Sequence, residues 1–182
     1  MKKQFYIALL SLSVLFVSCK KEEVETTEEN ELITRVTLSF KDQTGKEVSF
    51  NWIDSNGDGV KDSVDPIVLS STNTYEMEVA FYDDTKKPAE DITEEIEEES
   101  DSHLVLVKIN PSALMNINAT DKDSKGLKLG LKNQVRNLSK GKGILKIKLL
   151  HQPPVNGKAI KDGINEGVGS TDAEVDFDIT IN

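Results

Sequence analysis

The run AEVDFDITI near the C-terminal end restricts the architecture more than any other stretch of the 182 residues. Ala173, Val175, Phe177, Ile179 and Ile181 alternate with Glu174, Asp176, Asp178 and Thr180. A period of two gathers the apolar set on one face of an extended chain, whereas a helix would scatter it around its circumference. The same rhythm recurs as Val36, Leu38 and Phe40 in LITRVTLSF, as Val48, Phe50 and Trp52 in KEVSFNW, and as Tyr75, Met77, Val79 and Phe81 in TYEMEVAFY. PIVLSS, LVLVKI, SALMNINA, LKLGL and GILKIKLL are further strand candidates, and QTGK, SNGDG, SKG and GKG supply turns between them. Many short strands at even spacing predict an all-β fold, an immunoglobulin-like antiparallel β-sandwich of seven to nine strands over residues 32–182. That span is one domain's worth of chain and can bury a core without staples. No cysteine pair is available for the inter-sheet disulfide of true immunoglobulin domains.

One segment breaks the alternation. In PAEDITEEIEEESDSH, Ile92 and Ile96 stand four apart, and Asp91 followed by Glu94 has the form of a helix N-cap with a capping acid. The reading is one short acidic helix crossing between strands. Glu90/Glu94, Asp91/Glu95, Glu94/Glu98 and Glu95/Glu99 are like-charge pairs at helical spacing, each destabilising by a few tenths of a kcal/mol. Burial of the two isoleucines, cations or a basic partner must offset them. From Glu76 to Asp101 there are twelve acids against Lys86 and Lys87, while Lys122 to Lys148 holds nine Lys and Arg against Asp123 alone. Either the lysines alternate outward on strands and stay solvated, or the domain has a dipolar surface that steers a charged partner.

The N-terminal end reads as address rather than fold. MKK, the apolar run FYIALLSLSVLFV and then SCKKEE have the order of a secretory signal, predicted at residues 1–18. The apolar run is shorter than the roughly 20 residues a bilayer span needs. Cys19 is the sole cysteine, so it forms no internal disulfide. Its setting after Phe16, Val17 and Ser18 resembles the lipobox of bacterial lipoproteins, which implies cleavage before Cys19 and lipidation of that residue. Several acyl chains anchor firmly, since each buried methylene contributes about 0.8 kcal/mol. Residues 20–31, KKEEVETTEENE, hold too little apolar surface to order themselves, so residues 19–31 read as a lipidated, acidic, flexible tether. Loss of the leader would take the net charge from −10 to −12, because it removes Lys2 and Lys3 and no acid. Such a chain does not suit nucleic acid, whose affinity comes from neutralised phosphates.

Two groups of residues suggest ligands. In DSNGDGVKDSVD, Asp54, Asn56 and Asp58 fall at alternate positions, Gly59 follows, Val60 offers its carbonyl, and Asp62 and Asp65 stand where later ligands would. A calcium loop needs oxygens in that pattern around a sharp glycine turn. The stretch resembles the D-x-N-x-D-G loops of EF-hands, dockerins and thrombospondin-type repeats, with Asp65 in place of the usual Glu and strands in place of flanking helices. The alternative is a polar turn whose Asp and Asn side chains bond their own backbone. Asp121 and Asp123 in DKDSKG read as a turn, with Lys125 where a ligand would be needed. The second group is the histidine pair. His103 opens the strand LVLVKI and His151 closes ILKIKLL. If those strands are neighbours, the imidazoles meet near Glu98, Glu99 or Asp101, and two His with a carboxylate suit zinc or iron. No G-x-S-x-G, H-E-x-x-H, Walker or dinucleotide motif is present, so an enzyme is not expected.

Taken together, SCKKEE, ITRVTLSF, NWIDSNGDG, PAEDITEEIEEE leading to His103, LLHQPP and TDAEVDFDITI resemble a group of small outer-membrane lipoproteins of Bacteroidota. Chains of this look also carry a type 1 periplasmic-binding label, a name for larger two-lobed α/β structures whose alternating helices this chain lacks. The resemblance implies a cell-surface position, since KKEE after Cys19 resembles an export signal, and work beside a TonB-dependent transporter. The leading expectation is a lipid-anchored, non-enzymatic binding or accessory module that captures a metal or metal complex. An adhesin-like or envelope-structural domain with a calcium-stiffened loop is the alternative, and a small hydrolase using the acidic segment is third.

Overall fold

The computed structural model describes residues 31–182. The leader, Cys19 and the tether up to residue 30 lie outside the described residues. Eleven strands form two sheets around one core, and eight of the strands have five or more residues. The larger sheet contains β1 (Arg35–Asp42), β2 (Glu47–Ile53), β3 (Ser63–Val64), β5 (Thr74–Asp83), β6 (Glu90–Asp91), β8 (Met115–Ala119) and β9 (Lys132–Asn137). Its order is β3-β2-β1-β5-β9-β8, with β6 paired to β5. The smaller sheet is β4 (Ile67–Leu69), β11 (Ser170–Ile181), β10 (Gly141–His151) and β7 (His103–Asn110), in that order. Every pairing is antiparallel except β4 with β11. The fold is therefore an all-β sandwich, with one α-helix among the described residues, α1 (Ile92–Glu98).

The alternation does what period-two patterning requires. Val36, Leu38 and Phe40 of β1, Met77, Val79 and Phe81 of β5, and Val175, Phe177, Ile179 and Ile181 of β11 are buried in one shared core. Fully burying each such side chain contributes roughly 1.5–3 kcal/mol. α1 is capped by Asp91, whose carboxylate accepts the Thr93 amide, and it buries Ile92 and Ile96. Thr93 Oγ1 also bonds both the amide and the carbonyl of Phe81, which fastens the helix to β5. Those contacts offset the like-charge repulsion along the helix. Among the described residues no helix is long and apolar enough to cross a membrane.

Two local expectations need correction. LKLGL is not a strand, although Leu129 and Leu131 are buried. Gly130 adopts φ +95°, a conformation open to glycine, and Asp121 accepts the amides of Gly130 and Lys132, which turns the backbone there. The strand lies just beyond, as β9. The start of SALMNINA is a short 3-10 turn, Ser112–Leu114, before β8. Several of the lysines in the basic stretch are paired locally. β10 pairs with β11 so that Lys146 bridges to Glu174 and Asp176, and Lys148 bridges to Glu174. Lys132 reaches Glu97 of α1, and Lys125 reaches Asp101.

Candidate metal centre

β7 and β10 are hydrogen-bonded neighbours, and the register sets His103 directly opposite His151. Both fall on the inward parity of their strands. His103 shares it with Val105, Val107 and Ile109, and His151 shares it with Leu145, Ile147 and Leu149. The pleat thus carries two imidazoles to the end of the core. Their rings stack with centroids 4.8 Å apart and 16° between planes. His103 is 1% exposed. Glu99, at the C-terminal cap of α1, completes a cluster in which one ligand atom from each of Glu99, His103 and His151 lies within 4.8 Å of the others.

The protonation of His103 follows from its partner. Its Nδ1 lies 3.3 Å from the backbone carbonyl of Glu99. A carbonyl only accepts, so Nδ1 carries the hydrogen and Nε2 of the neutral ring presents a lone pair. Metal-binding histidines are commonly oriented in this way, with one ring nitrogen donating to a carbonyl and the other left for the ion. Burial, then the adjacent His151 and Lys161, lower the His103 pKa to about 4 against the pull of the Glu99 carbonyl. The ring is therefore neutral, the form a metal requires.

Sequence reasoning missed Glu31. Its position in an acidic run assigned it to the tether, yet its side chain is only 14% exposed and Oε1 lies 3.5 Å from His103 Nε2. Burial first, then the carboxylates of Asp172, Glu95 and Glu99, push the Glu31 pKa up to about 7. A half-buried carboxylate beside three other acids and a neutral imidazole is in the electrostatic situation that a bound cation would reverse. Glu31, Asp172, Ile33 and Trp52 also line an adjoining hollow of about 250 Å3, which extends to Asp54. The only sequence hint to Glu31 was its place immediately before the strand-like LITRVTLSF.

Two expected ligands are placed elsewhere. Asp101 turns away to accept the amide and hydroxyl of Ser124 and to pair with Lys125, because the 121–127 turn packs beside it. Glu98 is exposed and lies outside the cluster, in an acidic groove with Glu90, Asp91, Glu94, Glu95 and Glu99. Glu99 alone belongs to both the groove and the histidine cluster.

In the Asp54 loop the side chains are engaged with backbone. Buried Asp54 accepts the amides of Gly57, Asp58 and Gly59. Asp58 accepts Val60 and Asn56, and Asp62 accepts Ser55. Asp65 faces β2, where it accepts the backbone and side-chain amides of Asn51. These bonds close the β2–β3 hairpin and engage the same side chains that the calcium reading uses. The chain matches no protein-family model, no curated protein and no solved structure.

Proposed function

We propose that the protein is a lipid-anchored, non-enzymatic module of the outer membrane that captures a divalent transition metal, zinc or ferrous iron. The observation that supports this most is the stacked pair His103 and His151 with Glu99, three potential ligands converging at the end of the core. Mixed imidazole and carboxylate donors suit zinc and iron better than calcium or magnesium, which prefer oxygen alone. The backbone carbonyl on His103 Nδ1 supports the same reading by fixing the ring with Nε2 available. The acidic groove that ends at Glu99 offers cations a route of favourable potential toward the cluster. Lipidation at Cys19, a cell-surface position and hand-over to a TonB-dependent transporter rest on the leader and on the resemblance to small Bacteroidota lipoproteins.

Calorimetric titration with zinc tests the binding claim. Wild type is expected to take up zinc, and the double variant His103→Ala, His151→Ala is expected to lose that uptake. Zinc binding that survives loss of both imidazoles overturns the assignment, as does a wild type that binds none. Deleting the gene and following growth on limiting metal tests the accessory role separately.

A further inference from the structure

Glu31 and His103 meet as two acceptors. With the hydrogen held on Nδ1 by the Glu99 carbonyl, the Nε2 lone pair and Glu31 Oε1 face each other at 3.5 Å. With Glu31 ionised, two lone pairs at that distance repel, and a proton on the carboxyl or a metal cation between them turns the contact attractive. The spacing is close to the about 3.3 Å edge of a tetrahedron built on zinc–ligand bonds of about 2.0 Å. The other oxygen, Oε2, is buried and accepts no hydrogen bond among the described residues. Glu31 also differs from the other three groups in where it comes from. Glu99, His103 and His151 belong to α1, β7 and β10, whereas Glu31 belongs to the segment ahead of β1. That segment becomes fixed by backbone hydrogen bonds only from Thr34, whose amide donates to Tyr82 and whose carbonyl accepts Asp54.

From this geometry we infer that Glu31 is a fourth ligand of the metal centre, and that metal loading clasps the lead-in segment onto the ends of β7 and β10. The inference rests on the metal reading above. The four donors are two imidazoles and two carboxylates, donor types that suit zinc; Glu31 touches the three-residue cluster through His103. Ile33 is already packed in the core, and metal adds a second tie at Glu31, two residues ahead of it. Occupancy is thereby transmitted to the place where the folded domain joins the chain that precedes it. Binding to one conformation and not the other shifts the equilibrium by the differential affinity that Glu31 supplies.

The test uses zinc with the full chain and two variants. Glu31→Gln keeps the shape and removes the charged donor. Glu94→Gln removes one charge from the exposed groove and leaves the cluster intact. Zinc affinity is measured by calorimetry, and amide hydrogen exchange is followed at residues 31–33. The expected result is zinc affinity lowered at least roughly tenfold in Glu31→Gln and changed far less in Glu94→Gln. Zinc should slow exchange at residues 31–33 in wild type and not in Glu31→Gln. If wild type binds zinc but Glu31→Gln binds it equally well, or exchange at residues 31–33 ignores zinc, the clasp is refuted while the histidine site stands. If wild type binds no zinc, both fall together.

Discussion

Replacing Lys161 with methionine should be among the most damaging single changes in the domain. Its ammonium lies 2.8 Å from Asp123 Oδ2, with side chains 1% and 0% exposed, and it donates to the Ser100 carbonyl at 2.7 Å. Burial pushes the Asp123 carboxyl up, but the ammonium and the amides of Leu127 and Lys125 outweigh it and hold the pKa below the ordinary carboxylate value. Lys161→Met leaves that carboxylate buried without its counter-ion, and removing one member of a buried pair costs about 3–5 kcal/mol. At roughly 2–4 °C per kcal/mol for a domain of this size, Tm should fall by roughly 6–20 °C. Urea denaturation followed by fluorescence of the buried Trp52 gives the free energy directly. The double variant Asp123→Asn, Lys161→Met removes the orphan charge while keeping an acceptor for the two turn amides. It should recover more than half of the loss. A single variant that costs under about 1 kcal/mol, or a double variant no more stable than the single, would refute the argument that the buried charge is what matters.

Four further outcomes are expected. In Gly130→Ala the new Cβ would meet the Val105 carbonyl oxygen at 2.0 Å in a backbone of φ +95°, so urea denaturation should register a loss of at least about 1–3 kcal/mol. Zinc affinity, measured by calorimetry between pH 5 and 8, should rise with pH until it passes about 7, because Glu31 must lose its proton first while His103 is already neutral above about pH 4. The metal-free protein follows the same linkage. A raised Glu31 pKa contributes stability below its unfolded value of 4.5 that is lost as pH climbs through about 7, so Glu31→Gln should exceed wild type in stability at pH 8 and lose that advantage near pH 4.5. Asp54→Ala leaves three amides of the hairpin loop without their acceptor and should cost about 1–3 kcal/mol, with the wild-type melting temperature the same in calcium and in chelator.

The sandwich was legible because β1, β5 and β11 obey the period-two rule. Legibility failed where backbone and side-chain signals diverge. Leu127, Leu129 and Leu131 alternate like a strand, but Gly130 bends the chain between them. β9 was overlooked because two of its inward positions are Asn133 and Asn137, which are acceptable there only because their amides reach the carbonyls of Gly130 and Ser70. The metal centre was half legible. The inward parity of His103 and His151 could be read from Val105 and Leu149. That β7 and β10 are neighbours could not, since pairing across forty residues of chain depends on the whole topology. Glu31 was hidden because composition reports average polarity and not where one carboxylate comes to rest.

The borders of the two sheets have a consequence for behaviour at high density. Unpaired strand edges are templates for joining a neighbouring copy, and short or covered edges remove the template. Here one border is the two-residue β3 and another the three-residue β4. The longest, β7, already has its Val105 amide occupied by the Leu129 carbonyl of the same chain. Copies packed side by side therefore meet borders that are short at β3 and β4 and covered at the Val105 end of β7, which limits the backbone available to zip together there.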